Sequence, residues 1–211
     1  MIFQNDNGYW VLGTIVLLLA LWVGWTIFIT VTTEEVAYTV LNESKEYEIR
    51  QYSNFIIAET QIEGTIFSKG NNAFPILFNY ISGNNEAGDK ISMTAPVLSE
   101  PKGSKIAMTT PVLQDSNTFS FVLPASYTID SAPKPKDSRI TLKESGELRV
   151  AVLRFSGSYS ESNFEEKMTL LDSYLKRDGL KYSQMTSAVY SPPGTLFFLR
   201  RLEVWAFLDQ K

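Results

Sequence analysis

The chain contains no cysteine and no histidine. The first absence excludes a disulfide framework, a thiolate metal site and a cysteine nucleophile. The second removes the commonest general base, the commonest metal ligand and the usual side-chain switch near neutral pH. An excess of positive charge is also missing. Nineteen Lys and Arg stand against 23 Asp and Glu, for a net charge of −4 over 211 residues. The basic footprint of a nucleic-acid binder is therefore absent, and no nucleic-acid partner is expected. Neither a G-x-S-x-G elbow nor a Walker A loop occurs, and without His or Cys no such neighbour can activate a serine. The acidic residues are scattered. Glu165 and Glu166 are adjacent, but they suit the first turn of a helix, where carboxylates favour the helix dipole. A non-enzymatic chain, with no catalytic group and no metal site, is the expectation.

What is present begins with a long uncharged run. Residues 1–9 form a short polar tail without Lys or Arg, and Trp10 to Val31 then continues for 22 residues without a charge. At about 1.5 Å per residue such a helix matches a hydrocarbon core of roughly 30 Å. Tyr9 and Trp10 sit at one end, where interfacial aromatics belong, while Trp22 and Trp25 lie deeper. A cleaved signal peptide would need a basic leading region and a small-x-small site, and Thr30–Glu35 offers none. Residues 10–31 are thus expected to be a single-pass transmembrane helix that ties the chain to a membrane. Lys45 and Arg50 are the basic residues near its far end, and the positive-inside rule leans on them toward a cytoplasmic domain. Asn42-Glu-Ser44 is a glycosylation sequon that would matter only in a secretory compartment.

From Glu34 the composition becomes that of a soluble domain, expected over residues 34–211. Residues 47–62 read as two strands about a Ser53-Asn54 turn. Ser68–Ser82 reads as a helix, because Phe74, Leu77, Phe78 and Ile81 recur at three and four; Pro75 within it argues for a kink or a later start. Phe119–Leu123 reads as a strand, and Pro124–Asp137 as a surface connection. Ile140–Leu142 and Leu148–Phe155 read as a hairpin about Glu144–Glu147. Ser162 with Glu165 predicts a capping box. Phe164, Met168, Leu171 and Leu175 make one apolar stripe, and the helix stops at Gly179. Leu196–Leu208 is nearly continuously apolar and reads as a long strand or hairpin buried on both faces.

Two octets stand at the centre, Lys90-Ile-Ser-Met-Thr-Ala-Pro-Val97 and Lys105-Ile-Ala-Met-Thr-Thr-Pro-Val112, fifteen residues apart. Each reads as a short β segment ending at a Pro, a residue suited to a strand edge. Met93 and Met108 would then either belong to two plain edge strands or line a shared apolar pocket, since Met adapts to irregular space. A larger repeat is also visible. Ala58–Gly64 and Ala151–Gly157 both end a strand at a Gly, offset by 93 residues, and each is followed by a helix ending at Gly83 or Gly179. Two amphipathic helices on an antiparallel sheet give an α+β fold made of two strand-helix-strand halves.

The octets, together with Tyr47-Glu-Ile-Arg-Gln-Tyr52, Phe121-Val-Leu-Pro124, Pro133-Lys-Pro135, Val150–Gly157 and Arg200-Arg-Leu-Glu-Val-Trp205, resemble the SOUL heme-binding family. The resemblance runs in order over residues 34–208. It implies a distorted antiparallel β-barrel of about eight strands with two helices, here preceded by the transmembrane helix. It also implies a heme or tetrapyrrole ligand lying against the first helix of the domain. Carried over by Pro75 and Tyr80, that face holds Asn71, Phe74, Phe78 and Asn79. Where relatives place basic residues for the propionates, this chain has Asn71 and Asn79, with Lys69 as the nearest cation. Thr195 stands where a relative has Lys, and Leu202 where the family has Asn. Phe74 and Phe78 suit a flat tetrapyrrole, and equally suit a core-facing stripe. With His and Cys absent, Tyr52, Met93 and Met108 are the candidate iron ligands. The rival expectations are a binding module for another flat amphipathic molecule and a membrane-tethered interaction domain without a ligand.

Overall fold

The structure, a computed structural model, describes residues 7–62, 72–99, 118–192 and 194–209. The second octet, Gly64, Lys69, Asn71 and Met108 lie outside the described residues. Helix α1 (Asn7–Thr32) contains the expected span and is long and apolar enough to cross a membrane. Most of its side chains are exposed. One stripe is not: Val23, Ile29, Thr30 and Thr33 are half-buried and Thr26 is 6% exposed, so the rest of the chain packs along this face.

Beyond α1 the chain builds one sheet from β1 (Glu34–Glu35), β2 (Tyr38–Glu43), β3 (Glu48–Tyr52), β4 (Ile56–Gln61), β5 (Thr94–Ser99), β6 (Thr118–Val122), β7 (Ile140–Glu144), β8 (Leu148–Phe155), β9 (Tyr182–Val189) and β10 (Leu202–Leu208). Helix α2 (Ala73–Ile81) lies between β4 and β5, and α3 (Glu161–Arg177) between β8 and β9. The strand order is β2-β3-β8-β10-β9-β5-β6-β4-β7, with β1 added parallel to β5 and all other pairs antiparallel. The α+β class is as expected. The closed barrel is not: the sheet ends at β2 and β7, which do not pair with each other, and it has ten strands. From the β5–β9 seam outward, β5-β6-β4-β7 on one side answers β9-β10-β8-β3 on the other.

The expected hairpin between residues 140 and 155 also fails, for a reason visible in the links. Strand β7 pairs with β4, while β8 pairs with β3 and β10, so consecutive strands go to opposite halves. Strands β3 and β4 part in the same way. Their two links dock on each other: Phe55 N–H donates to Ser145 Oγ (3.0 Å), Ser145 N–H to the Phe55 carbonyl (2.9 Å), and Gly146 N–H to Asn54 Oδ1 (2.9 Å). Short polar links that look like turns are here crossovers that satisfy one another's backbone groups.

Both helices cover the sheet. Under α3, Phe164, Leu171 and Leu175 pack on Ile49, Leu153 and Val204. Its first residue is Glu161, two positions earlier than the capping box requires, so Ser162 lies inside the first turn and Ser160 is the cap without a side-chain bond. Under α2, Ala73, Leu77, Tyr80 and Ile81 pack on Ile56, Ala58 and Phe121. Pro75 is its third residue, which resolves the expected kink as a late start, since a first-turn N–H has no partner within the helix. The Tyr80 hydroxyl donates to the Pro133 carbonyl at 2.8 Å, tying α2 to the long surface connection.

Strand β10 is buried on both faces as expected, but it is shorter than the apolar run. Phe197–Leu199 forms a single 3₁₀ turn, α-helical in neither pitch nor length, and its three side chains are 61%, 58% and 45% exposed. The first octet is likewise only partly strand. Thr94–Ser99 pairs with its neighbours, with a register break around Pro96, whereas Lys90–Met93 is irregular, so Ile91 is buried and Met93 is not.

Candidate functional site

A cavity of about 400 Å³ opens where the end of α1, the start of α2, the entry to β5 and the link from β9 to β10 converge. Ile29 comes from α1, Thr33 follows that helix directly, Phe74 comes from α2, and Phe119 from β6. Met93, Thr94, Ala95 and Val97 supply one wall. Tyr190, Pro192, Arg200 and Leu202 supply another, and Tyr159 approaches from the segment before α3. The lining is mostly apolar, and its volume lies within the range of about 300–1,000 Å³ usual for small-molecule sites.

Three polar features interrupt that surface. The Thr94 side chain is 2% exposed and its hydroxyl has no hydrogen-bond partner. Leaving a buried hydroxyl unpaired costs on the order of 1–3 kcal/mol, so this residue of the cavity wall carries an unmet polar atom. Arg200 is the cation in the described lining, and its Nε donates to the Thr195 carbonyl at 2.9 Å. Thr195 is itself buried and fixed by its hydroxyl donating to the Pro192 carbonyl at 2.8 Å. Thr195 therefore orients an Arg by its backbone. The third feature is the pair of phenols. Burial pushes Tyr159 up to about 12. Burial, with the Glu203 carboxylate nearby, raises Tyr190 further. Both stay protonated at neutral pH, and neither offers a phenolate.

Behind Tyr190 lies a closed ionic cluster. Glu203 is fully buried; it accepts from Arg50 Nη1 (3.0 Å), Arg201 Nε (3.0 Å) and Trp205 Nε1 (2.9 Å). Burial works against the Arg50 cation, but Glu203 and the Tyr52 hydroxyl outweigh it and the net shift is upward. A carboxylate held by two guanidiniums has no charge left for a cationic ligand. Arg201 also lies over the Tyr190 ring, 3.8 Å from its centroid, and binds Glu35 at 2.8 Å, so the cluster joins the cavity wall to the chain just after α1.

The structure brings Phe74 and Met93 together on the cavity. Phe78 stacks on Phe74, with centroids 5.7 Å apart and planes at 12°, and is largely exposed. Asn79 is exposed on α2 and is not part of the lining. Tyr52 is buried beneath the cavity, its ring 4.7 Å from that of Trp205 and its hydroxyl receiving Arg50 Nη1 and bonded to Tyr190. No open face is left on it. Sequence reasoning missed Ile29, Thr33, Tyr159, Tyr190 and Arg200, because they come from distant segments. Thr94 was within reach, since it stands next to Met93 in the octet. Leu202 adds apolar wall.

Comparison with known proteins now bears on the same residues. The family described as SOUL heme-binding protein matches residues 33–207. The chain belongs to the SOUL heme-binding protein family. Human heme-binding protein 2 is 32% identical over 164 residues, covering 75% of this chain and 76% of its own. The mouse protein of the same name is 31% identical over the same shares. Among solved structures, the EcmrR C-terminal domain superposes with a TM-score of 0.56 at 8% identity, covering 82% of this chain and 99% of that one. A hydrolase from Listeria innocua gives 0.51 at 10% identity, covering 80% and 94%. At such identities these two share the fold of this SOUL chain and nothing more.

Proposed function

We propose that this SOUL-family chain is a membrane-anchored, non-enzymatic tetrapyrrole-binding protein, holding heme or a related porphyrin in the cavity beside α2. The observation that carries the reading is a mostly apolar cavity with Phe74 and Met93 on its walls, one orienting cation at Arg200 and one unpartnered buried hydroxyl at Thr94. The names of the human and mouse relatives favour heme.

The residues fit such a group in a particular way. Phe74, Phe119 and Leu202 offer apolar surface to the macrocycle, at roughly 25 cal/mol per Å² buried before association costs. Arg200 suits one propionate, and the Thr94 hydroxyl suits a second polar atom. Heme, when bound, supplies an iron that seeks an axial ligand. With His and Cys absent and the cavity phenols protonated, Met93 is the remaining donor type in the described lining. Affinity therefore comes from burying the ring rather than from coordinating the metal.

Anchoring by α1 is supported by how its hydroxyls are handled. Thr14, Thr26, Thr30, Thr32 and Thr33 each donate to a carbonyl three or four residues back, as a lipid environment requires of any polar group. Carbonate extraction of the full chain should leave it with membranes. Titration of the full chain in detergent with heme and with metal-free protoporphyrin tests the site. Equal affinities within about threefold are expected, and Phe74→Ala should weaken both alike. Far tighter binding of heme with a low-spin spectrum would overturn this account of the site.

A further inference from the structure

The apolar turn Phe197–Leu199 has no part in the core and does not line the cavity. Its side chains are the most exposed large apolar group in the described chain beyond α1, at 61%, 58% and 45%. Its place is fixed on both sides. The Phe197 carbonyl accepts from Gly157 N–H at 3.0 Å. Thr195 is buried two residues before it, and Arg200 follows as a wall of the cavity that Ile29 of α1 and the adjoining Thr33 also line. The turn is thus held next to the point where α1 leaves its apolar run, and Arg201 binds Glu35 just beyond that point.

The stripe on α1 says how far the folded chain reaches. The uncharged run ends at Val31, yet Thr26 is buried and Val23 half-buried. At 1.5 Å per residue these lie about 7 Å and 12 Å inside the apolar run. If α1 spans a bilayer, part of the folded chain lies alongside it below the level of the headgroups. A segment at that depth must present apolar side chains outward and satisfy its own backbone. Phe197–Leu199 does the first. It meets the second in part, through Gly157 N–H and the bond from Leu199 N–H to the Leu196 carbonyl. Arg200 and Arg201 follow the turn directly in the chain, so the apolar surface ends at two cations.

We propose that Phe197, Phe198 and Leu199 form a second membrane contact, inserting into the bilayer interface beside the end of α1. The proposal rests on α1 being an anchor. It implies that the cavity is held against the membrane surface rather than swung away from it on a tether.

The absence of cysteine makes the test direct, because a single introduced thiol is the only one in the chain. An environment-sensitive fluorophore is placed in separate full-length variants at Phe198→Cys, Leu18→Cys and Lys176→Cys, each reconstituted in phosphatidylcholine–phosphatidylglycerol vesicles. Leu18 lies in the middle of α1. Lys176 lies in the last turn of α3, next to Asp178, whose carboxylate accepts from the Tyr47 hydroxyl in the link between β2 and β3. Vesicles carrying a nitroxide on the acyl chain near the glycerol should quench the Phe198→Cys label about twofold or more over the Lys176→Cys label. Quenching of Leu18→Cys with none at Phe198→Cys overturns the membrane contact and leaves the anchor standing. No quenching at Leu18→Cys in separate vesicles that carry the nitroxide near the end of the acyl chain overturns the anchor and the contact together. A blue shift at Phe198→Cys that follows protein concentration and ignores the quencher means that a second copy covers the turn, which also overturns the proposal.

Discussion

Helices α2 and α3 occupy corresponding places, each following an inner strand and lying on its own half of the sheet, yet they are built differently. The 17 residues of α3 carry charge on the outer face and bury Phe164, Leu171 and Leu175. The nine residues of α2 carry no charge at all; Phe74 reaches the cavity and packs edge-on against Phe121, and Phe78 stacks on it from the exposed side. A short helix that buries Leu77, Tyr80 and Ile81 on one face and leaves aromatic rings on the other can serve the core and one wall of a site at once. Each half has its own buried cluster of twelve residues, and of the two helices α2 is the one that gives a side chain, Phe74, to the cavity wall.

The largest effect that would break this comparison is a truncation on each helix. Leu175→Ala removes a fully buried side chain from a cluster of twelve buried residues and should cost about 2–5 kcal/mol. Phe78→Ala removes an exposed ring and should cost no more than about 0.5 kcal/mol. Porphyrin binding should respond in the opposite sense, weakened by Phe78→Ala and unchanged, where the protein is folded, by Leu175→Ala. Urea unfolding and porphyrin titration of the two variants in detergent check both statements. Equal losses of stability would mean that α2 is an ordinary core helix and that its exposed rings carry no site.

Much of this arrangement was legible from residues alone, and the failures share a cause. The stripe of Phe164, Met168, Leu171 and Leu175 names its helix because the partners are local. The late start of α2 was foreshadowed by Pro75. The links at Ser53-Asn54 and Glu144–Glu147 misled because their chemistry is that of turns, while their hydrogen bonds run to each other across more than 80 residues. Phe197–Leu199 misled because apolar composition does not report exposure. The cavity was half visible: Phe74 and Met93 could be named, but Tyr190 and Arg200 reach it only through the pairing of β9 with β10 and of β9 with β5. Tyr52 looked available as a ligand because burial by Trp205 is a tertiary fact.

A second comparison is available at the glycines that end the two helices. Gly83 has φ of 110°, and a Cβ there would meet the Gly88 carbonyl oxygen at 3.2 Å. Gly179 has φ of 68°, inside the left-handed region that other residues reach at a cost, and a Cβ there meets open space. Gly179→Ala should therefore cost about 1 kcal/mol, and Gly83→Ala about 1 kcal/mol more, because backbone rather than a pliable side chain opposes the methyl. Thermal unfolding of both variants reads the difference. The reverse order would mean that the loop between residues 84 and 89 gives way easily, and that the end of α2 is the less constrained of the two.

The smallest effect concerns pH, and of the two helix ends it should belong to that of α3. At the end of α3, Asp178 accepts from the Tyr47 hydroxyl at 2.7 Å and from Arg177 Nε at 2.8 Å. The Arg177 hydrogen bond, followed by that of Tyr47, holds its carboxyl down at about 2. A carboxylate whose folded pKa lies below its unfolded value of about 3.9 stabilises the fold above that value. The contribution is then lost as pH falls from about 4 toward 2. Tyr47 gives the opposite limb. Burial, and then its bond to Asp178, raises it to about 12, so its contribution is present below about 10 and lost as pH climbs toward 12. Helix α2 contains no acidic residue and has Ser82 at the matching cap, so it adds nothing to the acid limb. Asp178→Asn keeps an acceptor for Tyr47 but removes the charge. It should lower stability modestly near pH 6 and flatten the decline between pH 4 and 2, leaving what Asp137 and Asp172 contribute. Unfolding midpoints across that range, in parent and variant, decide the matter: parallel curves would show that the link between Tyr47 and α3 is made in the folded state without favouring it.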